Sequence, residues 1–124
     1  MYFLAAGQIC TLPKQCRLRK SEEFRAVLRN KIVFESLSLR LHVKPATTHC
    51  DYARVGLVVA KRIERKAVRR NRIKRLIREA FRKHRHMLKN LDCVVQLRCP
   101  ADQSDSSHIY QEAAVLFNKA ARQS

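Results

Sequence analysis

The sequence predicts a single α+β domain in which helices pack on a short sheet. The chain has 124 residues, which is enough for one compact domain and too few for two. Hydrophobic residues make up 46% of it, so a sizeable core is expected rather than disorder. Segments of helical periodicity and of period-two alternation follow one another, with no linker, repeat or low-complexity block between them. We therefore expect residues 1–124 to form one domain, with residues 1–11 as a loose N-terminal tail.

The first half of the chain predicts one helix and two strands. Ser21 can cap a helix whose first turn holds two carboxylates, and apolar residues recur at helical spacing through residue 30. Residues 36–45 alternate between apolar and polar side chains up to a proline, as in a half-buried strand. A loop over residues 46–52 leads to residues 55–60, a nearly all-apolar run that is typical of a strand covered on both faces.

The second half predicts a long helix, a third strand and a final helix. The long helix covers residues 64–88, and the strand at residues 92–97 ends before a proline. A polar turn over residues 104–107 precedes the last helix, at residues 108–122, whose apolar side is rich in alanine. The order α-β-β-α-β-α in a chain of this size implies helices packed on a short sheet.

The charge of the chain indicates a polyanionic partner. There are 27 Lys and Arg residues against 10 Asp and Glu residues, which gives a net charge of +17. A domain this basic attracts nucleic acid above all. A membrane surface is the second candidate, but it requires an amphipathic helix that the fold does not use. The apolar stretches are too short to span a membrane, and residues 1–11 lack the basic start of a signal peptide.

The cysteines predict free thiols in a reducing cytoplasm. There are five of them, an odd number, and no two are spaced as Cys-x-x-Cys. A disulfide framework or a structural zinc site is therefore not expected.

A long basic helix is the strongest functional signal. Residues 61–86 hold 13 of the 27 Lys and Arg residues of the chain, and only two acids. At about 100° per residue, one side of the helix is apolar and docks on the sheet; it comprises Ile73, Leu76, Ile77, Ala80, Phe81, Met87 and Leu88. The opposite side is the cationic stripe, roughly 20 Å long. The stripe consists of Asn71, Lys74, Arg75, Arg78, Arg82 and Arg85.

The arrangement of these cations favours an anionic ligand over a solvated helix face. A solvated face normally mixes signs, whereas like charges here lie three and four residues apart, which destabilises the helix unless an anion binds. More cations crowd the strand-to-helix junction, where the helix N-terminus can help to bind phosphate. Periodicity places Arg69 and Arg70 on the packing side, so the first turns are expected to project beyond the sheet edge. The candidate nucleic-acid-binding residues are Lys61, Arg62, Arg65, Lys66, Arg69, Arg70, Asn71, Arg72, Lys74, Arg75, Arg78 and Arg82.

Residues 67–79, Ala-Val-Arg-Arg-Asn-Arg-Ile-Lys-Arg-Leu-Ile-Arg-Glu, resemble the Arg-Asn-Arg signature of the bacterial ribonuclease P protein family. A lone Arg-Asn-Arg is not specific, but this extended run after a strand and at the start of a long helix is. The similarity covers residues 12–122. It includes the preceding strand and the first helix, through Arg17, Leu18, Phe24, Val27, Val55, Gly56, Leu57 and Lys61.

The resemblance implies a fold and a function. The sheet would be mixed, and the long helix would cross between parallel strands in the left-handed sense, which periodicity alone does not indicate. The signature region would bind the catalytic RNA of ribonuclease P near its active centre. A separate cleft between the first helix and the sheet would hold the single-stranded 5′ leader of precursor tRNA, and Phe24, Leu28 and His42 would line it.

The chain departs from the family pattern at this cleft. Phe24 can stack on an unpaired base, although core packing is an equal alternative because it lies on the apolar side of its helix. Leu28 and His42 stand where the family often has aromatic residues, and Lys31 stands where it often has glycine.

No catalytic residue, metal ligand or protein-bound cofactor is expected. The ten acids are scattered, and a metal-dependent nuclease needs clustered carboxylates. His84 and His86 are two residues apart on a helix, so they do not face each other as an acid–base pair. The resemblance assigns the Mg²⁺ chemistry of the holoenzyme to the RNA.

Other functions remain as alternatives. A ribosomal-type or other structured-RNA-binding protein shares the charge and size but needs no leader cleft. A helix-turn-helix DNA reader needs a short recognition helix after a tight turn, and a protein-only nuclease would cleave without added RNA. A membrane-active helix needs its apolar face free. Neither DNA nor a membrane is therefore an expected partner.

Overall fold

The computed structural model describes residues 14–46, 53–100 and 107–123. The predicted tail over residues 1–11, most of the predicted loop over 46–52 and most of the turn before the last helix lie outside these ranges. The described chain forms, in order, α1 (Ser21–Arg29), β1 (Ile32–Glu35), β2 (Leu39–Pro45), β3 (Arg54–Val58), α2 (Ala67–His84), β4 (Leu91–Leu97) and α3 (Ser107–Gln123). Single 3₁₀ turns lie at Lys14–Cys16 and, directly after α2, at Arg85–Leu88.

The four strands form one mixed sheet in the order β1-β2-β4-β3. The β1–β2 and β2–β4 pairs are antiparallel, whereas β3 and β4 are parallel. Parallel neighbours need a crossover connection, and α2 provides it. The single mixed sheet packed with helices confirms the predicted α+β class.

One face of the sheet carries the main core. There α2 and α3 pack on the inward-facing side chains of β2, β3 and β4. Phe81 of α2 and Phe117 of α3 are fully buried and meet edge to face, with ring centroids 5.5 Å apart. The buried residues of α2 are Ile73, Ile77, Ala80 and Phe81, which confirms the predicted docking side, and those of α3 are Ile109, Ala113, Leu116, Phe117 and Ala120.

The opposite face of the sheet is covered by α1. Register places His42, Val94 and Gly56 side by side across β2, β4 and β3, and residues that lie opposite one another share a face. The small apolar cluster here consists of Val94 with Leu18 and Val27.

The structure contains a strand that the sequence did not predict. β1 has four residues, and all but Phe34 are exposed, so it shows no alternation of apolar and polar side chains. The strand predicted from residue 36 begins instead at Leu39, and Leu37 is 83% exposed. The cause is a turn at Ser36 and Ser38 that the Glu112 carboxylate of α3 holds. It accepts hydrogen bonds from the Ser36 hydroxyl at 2.5 Å and from the Ser38 amide at 2.8 Å.

The long helix is shorter at both ends than predicted. Residues 61–63 form a turn, and Glu64 lies before the helix and is only 4% exposed. Beyond His84 the chain tightens into the 3₁₀ turn, which buries Leu88 but leaves Met87 48% exposed, so placing Met87 on the docking side was wrong. Asn90 adopts a φ of 64°, a left-handed conformation that asparagine tolerates, and β4 starts at the next residue.

The first helix begins at Ser21 as expected, but its cap differs from the prediction. Lys20 is the N-cap residue, and Ser21 is the first residue within the helix. The Glu23 carboxylate reaches back and accepts the amide hydrogens of Arg19 and Lys20, each at 3.1 Å. A first-turn carboxylate therefore caps the helix in place of the expected serine.

Candidate RNA interface

The segment that leads into α2 presents a concentrated positive charge, and we call residues 61–66 the basic loop. Its four cations, Lys61, Arg62, Arg65 and Lys66, are all exposed. The first turn of α2 contains no acid, and Lys66 makes no side-chain cap hydrogen bond. Amides at such a helix end and the helix dipole both favour an anion. Loop and helix end together form a surface suited to phosphate.

Two of the candidate nucleic-acid-binding residues hold the basic loop in place. The Arg70 guanidinium donates through Nη1 to the carbonyl oxygens of Glu64, at 3.1 Å, and Arg65, at 2.9 Å. Arg69 Nη1 lies 3.9 Å from Glu64 Oε2. Both arginines are half-buried, as their predicted position on the packing side implies. They shape the surface on which the exposed cations stand.

The exposed part of the cationic stripe lies toward the start of α2. Asn71, Arg75 and Arg78 are exposed, as is the neighbouring Arg72. Arg82 is instead paired with Glu79, and its Nε donates to Glu79 Oε2 at 3.3 Å. The last residue of the stripe turns inward too, because Arg85 Nη1 lies 3.9 Å from the sulfur of the buried Cys16. The stripe is thus shorter than the four turns predicted.

A cleft of about 310 Å³ lies where α1, β3 and α2 come together. Phe24 forms one wall, and its ring rests on the backbone of Gly56. A methyl group at Gly56 would lie 2.5 Å from Cε2 and Cζ of that ring, so the close approach depends on glycine. Lys74 and Arg78 of α2 also line the cleft. The lining residues are Arg17, Leu18, Arg19, Phe24, Val55, Gly56, Leu57, Lys74 and Arg78.

Charge in the cleft is of one sign, since its lining includes four cations and no carboxylate. Burial lowers the pKa of the Arg78 guanidinium, and the positive charge of Arg17 lowers it further. The Nε of Arg17 is buried and has no hydrogen-bond partner within the described part of the chain. A bound anion reduces the repulsion between cations that are held close together in this way.

Sequence reasoning did not select Arg17 and Arg19 as site residues. The chain beside Arg17 runs along the outer edge of β3, where the Leu18 amide donates to the Val55 carbonyl at 2.9 Å. This edge contact brings Arg17 opposite Arg78, although they are far apart in sequence. The sequence signal that could have identified Arg17 was the Arg17-Leu18 segment, which is part of the family resemblance.

The other two predicted leader residues, Leu28 and His42, lie outside the lining of the cleft. Leu28 packs beside the cluster of Leu18, Val27 and Val94. His42 is only 8% exposed, and its Nε2 lies 2.8 Å from the side-chain oxygen of Gln96. Both share the sheet face of Phe24, but neither lines the cleft.

Neither a metal-binding group nor a membrane-spanning helix is found among the described residues. In residues 14–46, 53–100 and 107–123, no three His, Cys, Asp or Glu side chains form a group that could hold a metal ion. His84 is occupied within the protein, with Nδ1 2.7 Å from the Ala80 carbonyl oxygen. Within the same ranges, no helix is both long and apolar enough to cross a membrane.

Comparison with known proteins gives one consistent result. The family model described as Ribonuclease P matches residues 12–121. The ribonuclease P protein component of Nitrosomonas europaea is 76% identical over 120 residues, covering 97% of this chain and 99% of the relative. That of Nitrosomonas eutropha is 67% identical with the same coverage.

The fold matches solved structures as well. A Staphylococcus aureus RNase P protein mutant with defective mRNA degradation activity superposes with a TM-score of 0.72 at 26% identity, covering 88% of this chain and 90% of that one. The basic loop, the Arg-Asn-Arg helix and the cleft therefore stand on a fold known from RNase P proteins. The chain belongs to the ribonuclease P protein family, the RNA-binding protein component of an endoribonuclease that processes tRNA.

Proposed function

We propose that the chain binds the catalytic RNA of ribonuclease P through the basic loop and the exposed part of the cationic stripe, and holds the 5′ leader of precursor tRNA in the cleft. Loop and stripe form a continuous cationic surface at the start of α2, which suits the backbone of a folded RNA. The cleft shares Arg78 with the stripe but differs from it because its lining includes the aromatic ring of Phe24. The loop and the stripe thus suit the folded catalytic RNA, and the cleft suits the single-stranded leader.

One observation carries the leader assignment: the half-buried ring of Phe24 lines the same cleft of about 310 Å³ as Lys74 and Arg78. Single-stranded RNA is bound by aromatic side chains that stack on bases and by cations that follow the phosphates. An unpaired leader offers both free bases and phosphates, whereas the paired acceptor stem of mature tRNA keeps its bases stacked. The predicted contacts of Leu28 and His42 would then require the leader to extend beyond the cleft, because neither residue lines it.

Cleavage itself is assigned to the RNA, with Mg²⁺ held by the RNA-containing holoenzyme. The described residues gather no set of acids that fits a two-metal nuclease site. The protein supplies position and charge, because its cations reduce phosphate repulsion and its cleft fixes the leader. The Staphylococcus aureus protein is associated with mRNA degradation; for this chain we expect no cleavage of either RNA by the protein alone.

We place this activity in the cytoplasm. Cys16, Cys93 and Cys99 are free thiols, which supports a reducing compartment.

Reconstitution tests the division of labour. Purified protein and its cognate RNA are combined on a precursor tRNA, and each component is omitted in turn. We expect the RNA alone to retain some cleavage at high Mg²⁺, and the protein alone to leave precursor tRNA and an mRNA intact. Cleavage by RNA-free protein that survives repurification would contradict the proposal.

A matched pair of lysines tests the cleft. Lys74→Gln removes a cation from the cleft wall, and Lys119→Gln removes one from the exposed surface of α3. We expect Lys74→Gln to weaken holoenzyme binding of precursor tRNA and to leave mature tRNA binding unchanged. Lys119→Gln should change neither. Equal effects of both variants on both substrates would show that only overall charge matters.

A further inference from the structure

We infer that Glu23 and Arg54 form a clamp that positions Phe24 in the cleft, an inference that rests on the proposed binding of the leader there. Neither residue lines the cleft. They are positioning residues: they set where the aromatic wall stands without touching the RNA.

Arg54 joins α1 to the sheet through two carboxylates. Its Nη1 lies 2.7 Å from Glu23 Oε2 in α1. Its Nε and Nη2 donate to the two oxygens of Asp92, at 2.9 Å and 2.8 Å. Asp92 lies directly beside Arg54 in the pairing of β3 with β4. A guanidinium held at two points by the neighbouring strand has a fixed orientation, so it is a rigid anchor for a third bond.

The helix that bears Phe24 needs such an anchor because its apolar contact is small. α1 has nine residues, and Val27 is its one fully buried side chain. Glu23 compensates by accepting the amide hydrogens of Arg19 and Lys20 at the same time as it pairs with Arg54. These groups lower the pKa of Glu23, the Lys20 amide most strongly. One carboxylate thus fastens the start of α1 and the cleft residue Arg19 to the sheet.

The clamp and the aromatic wall are neighbours on both elements. Glu23 precedes Phe24 in α1, and Arg54 lies two residues before Gly56 in β3, on the same face of the sheet. The Glu23–Arg54 pair is therefore adjacent to the contact of the Phe24 ring with Gly56. A displacement of Glu23 would therefore shift the ring relative to Gly56 and change the shape of the cleft.

The experiment compares Glu23→Gln with a matched control. Glu35→Gln also removes one negative charge, together with a close ion pair to Arg40 and a longer contact of 3.9 Å to Arg98. Neither contact involves α1. The first readout is leader discrimination, the ratio of holoenzyme affinities for precursor and mature tRNA. The second is the Hα chemical shift of Gly56, which the ring current of Phe24 displaces. The chain has two glycines, so glycine-selective labelling gives few signals. Phe24→Ala and the double variant complete a cycle.

We expect Glu23→Gln to lower leader discrimination about 2- to 5-fold, the range of a partly exposed ion pair. Gly56 should shift toward its value in Phe24→Ala, and Glu23→Gln should add nothing in the Phe24→Ala background. Glu35→Gln should alter neither readout. An unmoved Gly56 signal, or losses of Glu23→Gln and Phe24→Ala that add in full, would overturn the clamp while the leader cleft stands. If Gly56 moves but Phe24→Ala itself leaves discrimination unchanged, the leader cleft fails and the clamp has no role in substrate binding.

Discussion

The two faces of the sheet differ in what covers them and in what they do. One face is buried under α2 and α3 by an almost entirely apolar core. The other lies under the nine residues of α1 and carries two arginines, a lysine, an aspartate, a histidine and a glutamine. The same strands supply both faces. In β2, Leu41 and Val43 point into the core while His42 between them points toward α1. Stability is thus concentrated on one face, which leaves the other free to carry polar groups that arrange a binding site.

The largest expected effect is a loss of stability when the core on the α2 and α3 face is truncated. Phe81→Ala removes a ring that is fully buried against Phe117, and such truncations cost about 3–5 kcal/mol of unfolding free energy. Phe24→Ala, the same change on the other face, removes a half-buried ring and should cost less than half as much. Denaturant unfolding of both variants measures the difference. Equal losses would show that both faces contribute alike to stability.

The second prediction concerns function on the α1 face. If Phe24 stacks on a leader base, Phe24→Ala should cost roughly 1–3 kcal/mol of binding, and only for substrates with a leader. Affinity is measured beside melting temperature, with precursor and mature tRNA as paired substrates. A variant that melts early and loses both substrates equally would identify Phe24 as a core residue.

A third prediction separates the two sides of α2. Arg72→Glu with Arg75→Glu reverses charges on its exposed side, opposite the buried Phe81. Binding to the catalytic RNA should weaken, and the log-log salt slope should fall by about 0.7–0.9 for each phosphate that is no longer neutralised. The unfolding free energy should change little. Lys119→Glu with Arg122→Glu makes the same charge change on α3. An equal loss of slope in that control would mean that the exposed side of α2 is not a specific interface.

The smallest effect is a pH dependence on the α1 face. The pKa of Glu23 is lowered from its usual 4.5, by the amides of Lys20 and Arg19 and by Arg54, although burial opposes them. A lowered pKa means that the stabilisation is complete above pH 4.5 and is lost as pH falls through the folded-state pKa. For a partly exposed pair it amounts to about 0.2–1 kcal/mol. Wild type should therefore lose more stability than Glu23→Gln between about pH 5 and about pH 3. If the stability of the two proteins fell in parallel over this pH range, the expectation would be contradicted.

Helical periodicity predicted which sides of the helices pack into the core. Ile73, Ile77 and Phe81 recur at helical spacing because one side of α2 is buried, and the same holds for α3. The Arg-Asn-Arg segment was readable because its charge is concentrated in one stretch of chain. Both signals are local, and neither needs a distant partner to be recognised.

The remainder depends on contacts between residues far apart in sequence. Leu37 fits a strand pattern, yet Glu112, 74 residues beyond Ser38, holds the turn that exposes it. Arg17 looks like any cation of a basic chain until the edge of β3 brings it to Arg78. β1 has no buried side and therefore no pattern to detect. Binding sites are hard to predict from sequence for the same reason: they are built from partners that only the fold brings together.

The position of β4 in the sheet has a consequence for how the protein is made. β2 and β3 do not pair with each other; each pairs with β4, the last strand to be synthesised. Before residues 91–97 leave the ribosome, β1–β2 is the one pair of these four strands that can form, and an isolated hairpin is marginal in water. The basic segment of α2 emerges during this interval, with no folded domain to hold it. Folding is therefore late and dominated by distant contacts, and the new chain is most exposed to the anions of the ribosome while it is still incomplete.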